Sequence, residues 1–262
     1  MRVATIPFFA VILFASPAFA QSPFDGTWKA DMSSLAVTAK PDKVLLKDGT
    51  YTCSTCVPAY SLKADGQPHA IRGKDYWDAS SITIVDDHTV KREFLRDGKV
   101  VAGGTETVSA DGNAMTGEYW NTNNAAGVRE TSATTTTRVG PKPAGAHALS
   151  GEWKATPPTS ASENAMQVTL KVADGTVMMT SPRGETLNAR IGGVYAPIVG
   201  DPGKTMTKVA MPDPTTLVMT DMRGGKVVQT STYTVSPDGE TLTGKWNDPV
   251  AKASGSFTAK KM

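Results

Sequence analysis

The chain has 262 residues, with 27 basic and 25 acidic side chains and a formal net charge of +2 at pH 7. The basic residues are scattered, whereas a nucleic-acid-binding surface needs them concentrated to neutralise phosphates, so the composition disfavours that class of protein. The length suffices for one large domain or two small ones, each with its own hydrophobic core.

The first twenty residues predict a secretory signal peptide. Arg2 supplies a positive start, residues 6–15 are almost wholly apolar, and Ala-Phe-Ala at positions 18–20 is typical of a cleavage site. The apolar run is too short for a membrane span, which needs ~20 residues. We therefore expect a periplasmic or secreted protein that begins at Gln21 and has no membrane span.

An internal repeat is the strongest signal in the sequence. Residues 96–120 align without a gap on residues 223–247, with 13 of 25 positions identical. A period above 100 residues indicates a duplicated domain, because solenoid repeats are only ~20–50 residues long. We predict one module at residues 21–140 and a second at 149–262, joined by a short Pro- and Gly-rich linker at 141–148.

Strand and turn patterns dominate both modules. Alternating residues such as Val168, Leu170 and Val172 predict half-buried strands. Asp-Gly pairs predict tight hairpins, because the favoured turn needs a positive φ that glycine adopts freely. Long hairpin sheets tend to close, since closure removes unpaired edges. We predict an all-β fold of two tandem up-and-down antiparallel barrels, with two β-sandwiches as the alternative. The Asp-Gly pairs begin at Asp48, Asp65, Asp97, Asp111, Asp174 and Asp238.

Each module begins with a Gly-x-Trp pattern, Gly26-Thr27-Trp28 in the first and Gly151-Glu152-Trp153 in the second. This pattern resembles the first strand of the calycin barrels, which are the lipocalins and fatty-acid-binding proteins. The two-repeat chain also resembles a group of exported bacterial proteins. The resemblance implies that each tryptophan plugs one end of a barrel beneath a cation from the last strand, a contact worth ~0.5–2 kcal/mol. The implied cations are Arg138 for Trp28 and Lys260 or Lys261 for Trp153.

The same resemblance implies a ligand-binding role for Arg138. Fatty-acid-binding proteins hold a carboxylate with an Arg-x-Tyr pattern, which here is Arg138-Val139-Gly140, so the tyrosine is missing. Carboxylate binding therefore carries over to Arg138 alone. Packing on Trp28 is the favoured alternative role, because side chains alone can fill a barrel of this size.

Cys53 and Cys56 are the only cysteines. In an oxidising compartment they predict a disulfide that staples a loop, and a redox site is the alternative. A redox site of the thioredoxin type needs its first cysteine at a helix N-terminus, and no helix is predicted here. Asp48-Gly49-Thr50 aligns with Asp174-Gly175-Thr176, which places Cys53 opposite Met179. The disulfide is therefore predicted to be a local addition to the module.

Other candidate motifs have non-catalytic interpretations. The run from Gly200 to Thr205 lacks the first glycine of a phosphate-binding loop and is interpreted as a turn. The methionines of the second module predict a core or an adaptable cavity lining, with Cu(I) binding as the alternative. We predict no catalytic team, no cofactor and no metal site. The three histidines lie in different segments, at His69, His88 and His147.

These patterns predict an exported, non-catalytic carrier that binds a small apolar or amphipathic ligand inside a barrel. The first alternative is an envelope interaction protein with filled barrels, and the second is a redox protein that uses Cys53 and Cys56. An internal cavity of ~300 Å³ or more would favour the carrier. The sequence indicates neither the ligand nor the oligomeric state.

Overall fold

The computed structural model describes residues 21–154 and 156–262, so the predicted signal peptide lies outside the described residues. The described chain forms two antiparallel sheets, and each is nearly closed into a barrel. The predicted all-β fold with two barrels is confirmed. Within the described ranges, no helix is long and apolar enough to cross a membrane.

Twenty-one strands make up the two barrels, together with one 3-10 turn at Glu163–Ala165. In chain order the strands are β1 Gly26–Thr38, β2 Asp42–Lys47, β3 Thr50–Cys53, β4 Tyr60–Lys63, β5 His69–Ala70, β6 Ala79–Ile84, β7 Thr89–Arg96, β8 Lys99–Val108, β9 Ala114–Asn121, β10 Glu130–Val139, β11 Gly151–Lys154, β12 Ser160–Ala161, β13 Gln167–Ala173, β14 Thr176–Thr180, β15 Thr186–Arg190, β16 Ala196–Pro197, β17 Met206–Asp213, β18 Thr216–Arg223, β19 Lys226–Val235, β20 Thr241–Asp248 and β21 Ala253–Lys261.

Each barrel contains ten strands in a continuous ladder. Barrel 1 has the order β4-β3-β2-β11-β10-β9-β8-β7-β6-β5, and the short β12 pairs with β10. Barrel 2 has the order β15-β14-β13-β1-β21-β20-β19-β18-β17-β16. Contacts outside the named ladders link the two edges of each sheet. Gly66 N donates to Ile82 O in barrel 1, and two isolated bridges, Thr186–Val199 and Ile191–Val209, do so in barrel 2.

The barrels do not follow the predicted module boundaries, which are corrected here. Strand β1 belongs to barrel 2, between β13 and β21, whereas β11 belongs to barrel 1, between β10 and β2. Barrel 1 is therefore built from residues 42–154, and barrel 2 from residues 26–38 and 167–261. The physical reason is that the first strand of each repeat pairs with the last strand of the other repeat.

The predicted linker is also part of barrel 1. It lies in the connection from β10 to β11, where Ala146 and Ala148 are buried. His147 N donates a hydrogen bond to Leu46 O. The chain instead crosses between barrels after β1, at residues 39–41, and between β11 and β13.

Five of the six Asp-Gly pairs form hairpin turns, as predicted, whereas Asp65-Gly66 lies in a bend between β4 and β5, which do not pair with each other. At Asp48, Asp97 and Asp174 the aspartate and the following glycine both have positive φ, from 49° to 73°. Two consecutive residues with positive φ are the requirement of the type I′ hairpin turn. In the other three pairs only the glycine has positive φ. The sequence signal therefore located five hairpin turns and specified the turn type at three of them.

The Cys53–Cys56 disulfide is formed, as predicted. Cys53 ends β3 and belongs to the core of barrel 1, where it is 2% exposed. The largest fully buried side chains divide between the barrels. They are Leu46, Tyr51, Ile82, Val90, Leu149 and Trp153 in barrel 1, and Phe24, Trp28, Val177, Thr207, Val209 and Leu217 in barrel 2.

Candidate functional site

Trp153 and Arg138 close one end of barrel 1. The Arg138 guanidinium carbon lies 4.2 Å from the centroid of the Trp153 ring, and the Trp153 indole nitrogen donates to Leu149 O at 2.8 Å. The prediction that Arg138 covers Trp28 is wrong. The reason is the strand exchange, which makes β11 the neighbour of β10 and places Trp153 opposite Arg138.

All three guanidinium nitrogens of Arg138 donate to main-chain carbonyls. Nε bonds Gly112 O at 2.5 Å, and Nη1 and Nη2 bond Ser150 O and Ala148 O at 2.6 Å. Gly151 is required beneath them, because its φ is +141° and a Cβ there would collide with Arg138 Nη1. Because its nitrogens already bind the main chain, we place the candidate ligand site elsewhere.

Barrel 2 is closed in the same way by Trp28 and Lys261. The Lys261 ammonium lies 5.1 Å from the Trp28 ring centroid, and the Trp28 indole nitrogen donates to Phe24 O at 2.8 Å. Gly26 has a φ of +131°, and a Cβ there would lie 3.2 Å from the Lys261 side chain. Both Gly-x-Trp patterns therefore build the closed end of a barrel.

A buried polar network fills the interior of barrel 1. Arg92 forms an ion pair with Glu106, whose side chain is only 6% exposed. Arg92 also donates to the Tyr51 hydroxyl at 3.1 Å, and the Tyr119 hydroxyl donates to Glu106 at 2.9 Å. Burial alone would lower the pKa of Arg92, but Glu106 and the tyrosines hold it well above its ordinary value. Burial also raises the pKa of Tyr51 and Tyr119, which therefore stay neutral.

We expect Glu106→Gln to destabilise the protein by about 2–3 kcal/mol, because the Arg92 charge loses its counter-ion while still buried. Urea unfolding measures the change. The double variant Arg92→Met with Glu106→Tyr is the control, since it installs the residues of barrel 2 at both positions. It should recover most of the lost stability. A Glu106→Gln protein as stable as wild type would contradict the network.

Barrel 2 has an apolar interior at the same positions. The repeat alignment places Met219 opposite Arg92, and Tyr233 opposite Glu106. Instead of an ion pair, barrel 2 contains a cavity of about 220 Å³, with Trp28 at its closed end. Six strands of the barrel contribute most of its apolar lining, which includes Val168, Leu170, Met179, Met219, Tyr233, Leu242, Phe257 and Ala259.

A larger space, which we call the chamber, lies between the two barrels. It has a volume of about 530 Å³ and is lined by residues of both. Met179 and Arg183 line the chamber as well as the cavity of barrel 2, so the two spaces adjoin. Barrel 1 contributes aromatic side chains, namely Tyr76, Trp77, Phe94, Tyr119 and Trp120, and barrel 2 contributes charged ones, namely Arg183, Glu185, Asp201, Asp221 and Arg223.

Two residues that line the chamber each carry a buried hydrogen-bond donor with no partner among the described residues. They are the indole nitrogen of Trp77 and Nε of Arg223. Trp77 packs on Phe94 with 4.7 Å between ring centroids. The Arg223 guanidinium lies over the Tyr76 ring at 5.0 Å, and its Nη1 is 3.3 Å from an Asp75 carboxylate oxygen. Most buried polar groups in proteins are hydrogen-bonded, so two unpaired donors in one space indicate a binding site.

Asp221 is the chamber carboxylate whose titration is most informative. Burial raises the pKa of Asp221, although a hydrogen bond from the Thr207 hydroxyl at 2.7 Å opposes the shift. A raised pKa means that the ionised form is disfavoured in the folded protein. The carboxylate therefore reduces stability at neutral pH. This penalty decreases as the pH falls below the folded pKa and is gone below the pKa of the unfolded chain, ~3.9.

We expect Asp221→Asn to raise the melting temperature at neutral pH, and the difference from wild type to vanish at about pH 3. Asp213→Asn is the control of opposite sign. Hydrogen bonds from Thr215 lower the pKa of Asp213, so its ionised form stabilises the fold and its loss should lower the melting temperature at neutral pH. Equal effects of the two substitutions would contradict the assignment.

The remaining sequence candidates do not form a site. The three histidines contact different groups. His69 bonds Asp65, His88 bonds Val108 O and His147 bonds Asp86 O. Among the described residues, no group of three or more His, Cys, Asp or Glu side chains is placed to hold a metal ion. No sequence pattern assigned a binding role to any aromatic or charged residue of the chamber. The methionines of the second module did predict a cavity lining, and Met166, Met179 and Met219 line the cavity of barrel 2.

Comparison with known proteins identifies no family. No protein-family model matches the chain, and no curated protein matches it. One solved structure found by the search is BamB from Moraxella catarrhalis, at 8% sequence identity, 89% coverage of this chain and 91% of that chain, with a TM-score of 0.12. A TM-score this low supports no inference about fold or function.

Proposed function

We propose that this protein is an exported, non-catalytic carrier of a small amphipathic molecule whose apolar part occupies barrel 2. The observation that carries this proposal is the apolar cavity of about 220 Å³ at positions where barrel 1 is filled by Arg92 and Glu106. Two copies of one module have therefore diverged in their interiors, one toward a filled core and one toward an open space.

The size of the cavity defines which part of a ligand it holds. A volume of about 220 Å³ is below the ~300 Å³ of ordinary ligand pockets. The cavity adjoins the chamber through Met179 and Arg183, so a longer ligand extends from barrel 2 into the chamber. Met166, Met179 and Met219 are among the lining residues, and flexible thioether side chains adapt to ligands of different shape.

Export is supported by the disulfide and by the predicted signal peptide. A Cys53–Cys56 disulfide persists in an oxidising compartment, such as the periplasm or the exterior of the cell. The buried network of barrel 1 favours a second function for that half of the molecule. A filled barrel is suited to a structural or interaction role in the envelope, which was the alternative for the whole chain.

The test is displacement of an environment-sensitive apolar fluorophore from the mature protein. Leu242 lines the cavity, and Met115 is its equivalent in the core of barrel 1. We expect Leu242→Phe to weaken fluorophore binding by about tenfold or more, because it fills apolar space that the ligand needs. Met115→Phe is the matched control and should leave the affinity unchanged.

Two further results decide between this site and others. Arg138→Ala tests the carboxylate anchor implied by the calycin resemblance, and we expect it to lower stability without changing the affinity for fatty acids. The proposal would be rejected if the wild-type protein bound no apolar probe saturably. It would also be rejected if Met115→Phe, rather than Leu242→Phe, abolished binding.

A further inference from the structure

The polar groups of the chamber point to the chemistry of the ligand's head group. We propose that the chamber holds a neutral, polyhydroxylated ring such as a sugar, attached to the apolar part that occupies barrel 2. This inference rests on the proposed function, since it identifies the other half of the same ligand. Three properties of the chamber carry it, namely its unpaired donors, its charge balance and its aromatic side.

The unpaired donors require acceptors on the ligand. The indole N–H of Trp77 and the Nε–H of Arg223 are buried without a partner. Leaving such a donor unpaired costs about 1–3 kcal/mol, so a ligand that supplies an acceptor is favoured. An ammonium head group, whether primary or quaternary, has no acceptor, and it would leave both N–H groups unpaired.

The charge balance excludes an anionic head group. Four carboxylates line the chamber against two arginines. Both arginines are already paired, Arg183 with Glu185 at 2.7 Å and Arg223 with Asp75 at 3.3 Å. A ligand carboxylate would therefore meet excess negative charge, and like charges brought together in a partly buried site repel strongly. Glu130 also lies 3.9 Å from Arg183, which leaves Asp201 and Asp221 without an ion pair among the described residues. Hydroxyl donors of a neutral ligand can bond these two carboxylates.

A hydroxyl group satisfies both requirements, because it donates one hydrogen bond and accepts others. The aromatic side of the chamber fits a sugar ring in a second way. Aromatic faces carry partial negative charge, and the C–H groups on one face of a sugar ring present partial positive charge to them. Trp77, Phe94 and Tyr119 line this side. The volume of about 530 Å³ lies within the ~300–1,000 Å³ of ordinary ligand sites.

Three probes with the same tail and different head groups test the inference. They are octyl glucoside, octanoate and octyltrimethylammonium, each used below its micelle-forming concentration, with binding to the mature protein measured by calorimetry. We expect the glucoside to bind about tenfold more tightly than either charged probe, which corresponds to one or two additional hydrogen bonds. Octanol, which has the tail alone, measures binding in barrel 2.

Variants of the two donors locate the head group. Trp77→Phe keeps an aromatic ring but removes the N–H, and Arg223→Met removes Nε. Each should weaken glucoside binding by about five- to tenfold and leave octanol binding unchanged. Arg96→Met is the matched control, since Arg96 is the repeat equivalent of Arg223, also bonds Asp75 and does not line the chamber. Should Arg223→Met fail to fold, Trp77→Phe still decides.

The outcomes separate the two proposals. Equal binding of the three head groups, or preference for octanoate, would overturn the sugar assignment and leave barrel 2 as the tail site. Binding of free glucose without binding of octanol would retain the head-group assignment and reject barrel 2. Absence of binding by all probes, glucose included, would overturn both. Unchanged glucoside affinity in Trp77→Phe would place the sugar outside the chamber and overturn this inference.

Discussion

Residues 40–156 are expected to fold alone, whereas residues 21–140, the module suggested by the repeat, are expected to remain unfolded. The fragment of residues 40–156 contains every strand of barrel 1 from β2 to β11. The other fragment lacks β11 and therefore leaves β2 and β10 without their shared neighbour, and it carries β1 without its partners in barrel 2. Circular dichroism and cooperative urea unfolding of the two purified fragments measure the difference.

A circularly permuted chain is the control for this prediction. It begins at residue 39, joins residue 262 to residue 21 through a short flexible linker, and ends at residue 38. Met262 N donates to Thr27 O at 2.9 Å, so a short linker spans the join. The permuted protein should fold with the stability of wild type. If residues 21–140 unfolded cooperatively while residues 40–156 did not, the exchange of first strands would be wrong.

Trp153→Ala should destabilise barrel 1 by about 3–5 kcal/mol, and Trp28→Ala should do the same to barrel 2. Each tryptophan is 1% exposed and closes the end of its barrel. Each substitution should destabilise the barrel that is built mostly from the other repeat. Trp153 belongs to the second repeat but packs in barrel 1, and Trp28 belongs to the first repeat but packs in barrel 2. Hydrogen exchange resolves it, because local destabilisation increases exchange in the strands that lose protection.

Exchange should therefore rise in β2–β10 for Trp153→Ala and in β13–β21 for Trp28→Ala. Trp120→Ala provides the control. Trp120 is only half-buried, and the Arg129 guanidinium lies 4.5 Å from its ring centroid, so its loss should cost only about 1 kcal/mol. Increased exchange in the barrel of the same repeat would contradict the strand exchange, as would an effect of Trp153→Ala no larger than that of Trp120→Ala.

The strands and turns were predictable because their signals are local. The alternation of apolar and polar residues around Leu170 and the Asp-Gly pair at Asp174 depend only on neighbouring residues. A barrel of this kind is built mainly from such hairpins. The exchange of β1 and β11 was not predictable. A repeat alignment shows that two segments are similar. The alignment would be the same if the first strand of each repeat paired within its own repeat or with the other repeat.

The candidate site was less predictable than the fold, for a geometric reason. Arg92 and Met219 occupy equivalent positions, so a difference between the interiors was visible in the alignment. The chamber was not visible, because it combines residues far apart in the chain. Arg223 and Asp75 are 148 positions apart in sequence, and no short motif contains both. The lack of a hydrogen-bond partner for the Trp77 indole nitrogen is likewise a property of the three-dimensional structure, and no sequence pattern indicates it.

The pairing of β1 with β21 imposes an order on assembly. All the strands of barrel 1 from β2 to β11 are present once residues 42–154 have emerged into the compartment where the protein folds. The ring of barrel 2 instead joins segments at opposite ends of the chain, such as Pro23 and Lys261, which are 238 positions apart. Contacts of such long sequence separation form slowly, since the intervening chain must first be ordered. The early folding of barrel 1 shortens that search by holding the two ends of a large loop in one compact body. We therefore expect barrel 2 to close last, on a barrel 1 that has already folded and that brings β1 and β13 close to each other.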